Sequence, residues 1–132
     1  MATLDVHLVT PEREVWAGPA QMVIAHGVDG DVGILPGHAP LLIRLAIAPI
    51  RIQREDGHWE RAVVDGGFLH VTGGEEGTRV DVLAANAGLE GEIDRDAAEV
   101  RVRELEDRLR TEDDEALRDE LARASARANL PA

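Results

Sequence analysis

The residues of this chain best suited to chemistry lie in one short stretch, GVDGDVGILPGHAPLL, residues 27 to 42. His38 sits between Pro36-Gly37 and Pro40, with Asp29 and Asp31 ahead of it. An imidazole near two carboxylates suits acid–base work or a bound cation. A histidine on a stiff tip suits docking equally well. The Asp residues have a plainer reading too, because Asp forms turns through its own side-chain bonds.

Elsewhere the chain offers no chemical partner for such a site. There is no cysteine, hence no thiol nucleophile, no disulfide and no cysteine metal site. All 14 basic residues are arginine, so the lysine of a phosphate-gripping P-loop is missing. The one serine, Ser125, stands among alanines and not in a Gly-x-Ser-x-Gly elbow. The five histidines, His7, His26, His38, His58 and His70, are scattered, and none has the spacing that sets two ligands on one helix face. No metal site is expected. A net charge of −12 argues against nucleic acid and anionic lipid, and two tryptophans and one phenylalanine make no stacking platform. No apolar run approaches the roughly 20 residues that span a bilayer, and the first residues lack the pattern of a signal peptide, so the default compartment is the cytosol.

The elements that must position the loop fall into two groups. Leu4, Val6 and Leu8 alternate with polar residues, as do Ile50 with Ile52 and Val80 with Val82. Period two with one buried face, broken at close intervals by Thr10-Pro11, Gly18-Pro19, Gly27 to Gly30, Pro36-Gly37, Asp56-Gly57, Gly66-Gly67 and Gly73-Gly74, predicts an antiparallel β-sandwich or barrel. Past residue 92 the period changes. Ala98, Val102, Leu105 and Leu109 form one helical stripe, with Asp94 as N-cap. Leu117, Leu121, Ala124 and Ala128 repeat the spacing in a second helix, for which Thr111 to Asp114 supply an N-cap and acidic first turn. Two narrow stripes joined by a short turn predict an antiparallel hairpin. Its alanines bury little area, so it should be the more mobile half, able to leave the sandwich. The reading is α+β: a sandwich over 1–86, a hinge linker over 87–92 with Gly88 and Gly91, and a helical hairpin over 93–132.

Leu35-Pro36-Gly37-His38 predicts a type II turn, in which Pro presets the first central φ and Gly supplies the positive second one. Pro40 drives Ala39 toward an extended conformation. Such a tip loses little entropy when gripped, as docking requires. The same residues also describe a well-built corner with an incidental histidine, and physics alone divides these readings evenly.

The run Gly30-Asp31-Val32-Gly33-Ile34-Leu35-Pro36-Gly37-His38-Ala39-Pro40-Leu41-Leu42 resembles the signature of the epsilon subunit of bacterial F-type ATP synthases. Thr10 to Arg13 with Val15 to Gly18, Val64 to Val71, and Glu92-Ile93-Asp94 resemble further parts of that family, in order, over essentially the whole chain. The resemblance implies a sandwich of about ten strands followed by a helical hairpin. It implies a non-catalytic rotor subunit on the cytoplasmic face of the bacterial membrane, without a transmembrane segment. The sandwich would bind the gamma subunit and rest on the polar loops of the membrane c-ring. Asp31 and His38 map to that c-ring contact, and Gly33, Pro36, Gly37 and Pro40 to the shaping of the loop. The hairpin would be regulatory, extending along gamma to the alpha and beta subunits to impede ATP hydrolysis, with Arg123 and Arg127 as its basic contacts.

Some members bind ATP through Ile or Leu, Asp, two variable residues, Arg and Ala. Here Ile93 and Asp94 match, but the arginine position is Ala97, and Asp96 adds a negative charge. No cofactor is expected, with ATP as a candidate regulatory ligand at most. The second helical segment is acidic as a whole and turns basic only at Arg123 and Arg127. The competing class is a free-standing sandwich that uses Asp29, Asp31 and His38 around a metal.

Overall fold

The computed structural model describes residues 3–74 and 77–130. In chain order the elements are β1 (Leu4–Val9), β2 (Glu14–Gly27), β3 (Gly30–Ile34), β4 (Leu41–Arg44), β5 (Ile47–Arg54), β6 (Trp59–Asp65), β7 (Phe68–Gly74), β8 (Gly77–Leu83), β9 (Ala87–Leu89), a 3-10 turn (Glu90–Glu92), α1 (Arg95–Leu109) and α2 (Glu115–Ala128).

Nine strands follow the order β4-β7-β8-β1-β2-β5-β6-β9, with β3 on β2, where about ten strands were expected. The long β2 carries the chain between layers. Its first half pairs with β1, its second half with β5 and β3, and its register shifts between Ala20 and Met22. Such a bulge bends a strand enough to serve both layers. Gly18-Pro19 therefore lies inside β2 and makes no turn. Pro19 faces Asp5 of β1, and β5 pairs only from Ala20 onward, so the missing N–H breaks no ladder there.

The predicted alternation is realised. Leu4, Val6, Leu8, Val80 and Val82 are fully buried, and Ile50 and Ile52 nearly so, in one core shared by both layers. The sandwich is not wholly antiparallel, however: β1 pairs with β8 in parallel, Leu4 opposite Thr78 through Val9 opposite Leu83. No hairpin joins these two strands, so their direction is free of the antiparallel constraint a tight turn imposes.

The expected hinge is regular structure. Ala87–Leu89 is a strand, with Ala87, Gly88 and Leu89 opposite Val64, Val63 and Ala62 of β6. Ile93 packs over Gly88, where an added Cβ would stand 3.7 Å from the Ile93 side chain. That is an ordinary packing distance, so Gly88 sits in a paired strand where composition alone reads flexibility. Asp94 caps α1 as expected, accepting from Ala97 N at 3.0 Å. The cap of α2 is Asp114, accepting from Ala116 N at 2.9 Å, and Thr111 belongs to the connection. Leu105, Leu117 and Ala124 form the buried centre of the hairpin, flanked by Val102, Leu109 and Leu121.

Candidate functional site

The loop after β3 has the predicted turn. His38 N donates to Leu35 O at 3.0 Å, and Gly37 has φ +86°. The loop is also tied sideways: Gly37 N donates to the hydroxyl of Thr78 on β8 at 2.8 Å, and Thr78 is buried. Pro40 leads into β4, the end strand of the sheet order, where a missing N–H is tolerated. Gly33 shapes no turn; it lies in β3 opposite Ile24.

Asp31 and His38 each bond elsewhere. Asp31 stands opposite His26 of β2 and accepts from its Nδ1 at 2.6 Å. Its carboxylate remains 72% exposed. His38 Nδ1 contacts Ala39 O at 2.7 Å. A carbonyl only accepts, so Nδ1 holds the proton and Nε2 is the acceptor of the neutral ring. Among the described residues no three His, Asp or Glu side chains gather as a metal would need, and Asp29, Asp31 and His38 are no exception.

Two further surfaces stand out. On the outer face of β4, β7 and β8, Leu42, Phe68 and Leu83 are about half exposed or more. Phe68 lies directly opposite Leu83, and Leu42 is one diagonal step from Phe68 because Arg44 is the residue opposite it. The second surface is a cavity of about 430 Å³ between sandwich and hairpin, lined by Asp65, Asp94, Ala97, Arg101, Glu120, Arg123 and Arg127 among others. Three acids offset three arginines. Arg101 donates to Glu120 at 2.5 Å and to Glu104 at 3.2 Å, bonds that raise its pKa above the ordinary value. Arg127 donates to both oxygens of Asp65 at 2.9 and 3.1 Å. Arg123 makes no ion pair among the described residues. Of the residues matching the nucleotide pattern, Asp94 and Ala98 line the cavity and Ile93 packs on β9.

At the junction of the two parts, Glu92 accepts from Arg13 at 2.8 Å and from Leu89 N at 2.9 Å. The Arg13 bond, then the Leu89 bond, hold the Glu92 carboxyl below the ordinary glutamate value. Glu90 pairs with Arg95 at 3.1 Å and with Arg61 at 3.6 Å. The unfolded chain takes up the Glu92 proton at a higher pH than the folded chain does. Stability from this carboxylate is therefore complete above the ordinary glutamate value and is lost as pH falls through the lower folded value. An acid titration followed by the Arg13 guanidinium NMR signals is expected to show release below the ordinary carboxylate range. In Glu92→Gln that step is expected to vanish, and its persistence would assign it to another acid.

Residues 3–89 match the family model described as "ATP synthase, Delta/Epsilon chain, beta-sandwich domain". The chain belongs to the ATP synthase delta/epsilon family. The epsilon chain of Brevibacillus brevis is 42% identical over 83% of this chain and 80% of its own length. That of Mycolicibacterium smegmatis is 48% identical over 74% of this chain and 78% of its own. The family fold extends over a wide distance. A chain of the Euglena gracilis mitochondrial ATP synthase, in the cryo-EM structure of its OSCP/F1/c-ring, superposes with a TM-score of 0.78 at 24% identity, covering 94% of this chain and 77% of that one. A chain of the Tetrahymena thermophila central stalk/c-ring structure does so at 0.53 and 16% identity, covering 67% and 68%. The match to the sandwich-domain model ends at Leu89, which is also the last residue of β9.

Sequence reasoning found the loop of this epsilon-family sandwich but missed what holds it. Thr78 had no signal beyond being a polar residue at an inward position of an alternating strand. His26 became a partner of Asp31 only through the β2–β3 register. Asp65, ahead of Gly66-Gly67, reads as a turn former, yet its side chain is 7% exposed and grips Arg127.

Proposed function

We propose that this chain is a non-catalytic central-stalk subunit of a bacterial proton-transporting ATP synthase, held at the cytoplasmic face of the membrane by its partners. No helix among the described residues is long and apolar enough to cross a membrane. The sandwich binds gamma through the Leu42, Phe68 and Leu83 strip. The loop carrying His38, with Asp31 beside His26, rests on the polar loops of the c-ring. The hairpin regulates ATP hydrolysis by leaving the sandwich and carrying Arg123 and Arg127 to the alpha and beta subunits.

The observation that carries this reading is how the sandwich surface is divided. The hairpin rests on β5 and β6 through α2. The outer face of β4-β7-β8, at the opposite end of the sheet order, keeps three large apolar side chains open to a partner. ATP has no role in this reading. The nucleotide pattern has Ala97 where it needs arginine, and the acids of the cavity offset its arginines, two of which are already paired. The test is a chain cut after Ile93, which keeps β9 in the sheet. Assembled with the remaining subunits it should retain gamma binding and proton pumping driven by ATP, with ATP hydrolysis released severalfold from inhibition. Loss of gamma binding in that truncation would overturn the proposed division of labour.

A further inference from the structure

We propose that Asp65 and Arg127 form a clasp that holds the hairpin closed and, in the same bond, withholds Arg127 from any other partner. This rests on the regulatory reading above.

Asp65 ends β6, and its backbone is fixed by a bond from its N–H to Asn86 O at 2.9 Å. Both carboxylate oxygens accept from Arg127, which lies in the last turn of α2 and also donates to Arg123 O at 3.0 Å. Two buried apolar side chains lie beside the ion pair in sequence. Ala62 and Val64 belong to the sandwich core, so by alternation Val63 points to the opposite face, yet it is fully buried. Leu130, just beyond α2, is 2% exposed. α2 is the helix that rests on β5 and β6, so it covers this patch. The ion pair ties the C-terminal end of α2 to the end of β6, one of the two strands on which that helix rests.

The two partners are not equivalent. The Arg127 side chain is 22% exposed and can swing into water, whereas Asp65 is 7% exposed. Removing Arg127 leaves a buried carboxylate without its cation, the costly way to break such a pair. Neutralising Asp65 leaves an arginine that can rehydrate. Closed-state loss should thus be larger for Arg127→Ala than for Asp65→Asn. The functional effects should run in opposite directions. Asp65→Asn opens the hairpin with its basic end intact and deepens inhibition. Arg127→Ala opens it without that charge and does not.

Hydrogen exchange on the full chain tests the clasp by itself. Peptides over residues 115–130 and over β6 should exchange about tenfold faster in Asp65→Asn, and faster again in Arg127→Ala, with β1 and β2 unchanged. Exchange within about twofold of the parent in Asp65→Asn overturns the clasp. That variant keeps the side chain's shape, so it decides the matter even where Arg127→Ala also loosens the sandwich. The same variants in the assembled synthase test the regulatory reading. Faster exchange without lower ATP hydrolysis in Asp65→Asn leaves the clasp standing and removes the inhibitory role of the hairpin.

Discussion

Gly67→Ala is expected to destabilise the sandwich by about 3–5 kcal/mol, from a left-handed backbone forced on a side chain and a steric clash that cannot relax. Gly66 and Gly67 link β6 to β7 with φ of +77° and +107°. A Cβ on Gly67 would stand 2.1 Å from Leu83 O and 2.8 Å from Ala84 Cα. Both are backbone atoms held in place. Leu83 pairs with Phe68 across β7–β8, and Ala84 N donates to Val9 O at 3.0 Å. Gly67 O meanwhile accepts from Leu45 N at 2.8 Å, so the glycine cannot withdraw either. For a domain of this size the midpoint of thermal unfolding should fall by roughly 10–20 °C. Gly37→Ala is the control: it has the same sign of φ, +86°, and nothing within 4 Å of an added Cβ, so it should lose only about 1 kcal/mol. Equal losses at the two positions would show that the Leu83–Ala84 backbone yields.

Leu105→Ala is expected to melt the hairpin and leave the sandwich folded. Leu105 is fully buried between α1 and α2, and its buried neighbours there are Leu117 and Ala124. Truncating a buried leucine costs about 2–5 kcal/mol. Burying one stabilises by only about 1.5–3 kcal/mol, so a centre of two leucines and an alanine has no reserve to absorb the loss. Far-UV circular dichroism at 25 °C should lose most of the signal of α1 and α2. The sandwich transition should move by no more than a few degrees, because its core is a separate cluster. A single transition that shifts as a whole, with helix content kept, would show that the two parts fold as one unit. Inhibition of ATP hydrolysis should weaken along with the helices, because an unfolded segment cannot present Arg123 and Arg127 at a fixed spacing.

These expectations draw unequally on sequence and structure. The stripe that buries Leu105 is legible in the 3.6-residue period, and the alternation that buries Leu4, Val6 and Leu8 is legible in the period of two. The strand within the expected linker was not legible, because Ala87-Gly88-Leu89 has too short a pattern to show one. Gly67 could be recognised as a turn residue, but the carbonyl it must avoid lies on β8, a strand it meets only once the sheet has formed.

By itself the sequence determined what depends on neighbours along the chain: the period of each element, the Pro36-Gly37 turn, the Asp94 cap, the change from strand to helix, and the family signature from Gly30 to Leu42. Those choices are local because they follow from the dihedral preferences and side-chain spacing of a few consecutive residues. Tertiary structure alone decided which distant groups meet. Gly37 bonds to Thr78 across 41 positions, Asp65 to Arg127 across 62 and Arg13 to Glu92 across 79. The parallel union of β1 with β8 is of the same kind. Such contacts form only after loops have closed and registers have locked, and no periodicity records them. The loop could therefore be identified from its own residues, whereas its anchor and the bond that closes the hairpin became visible only in the folded chain.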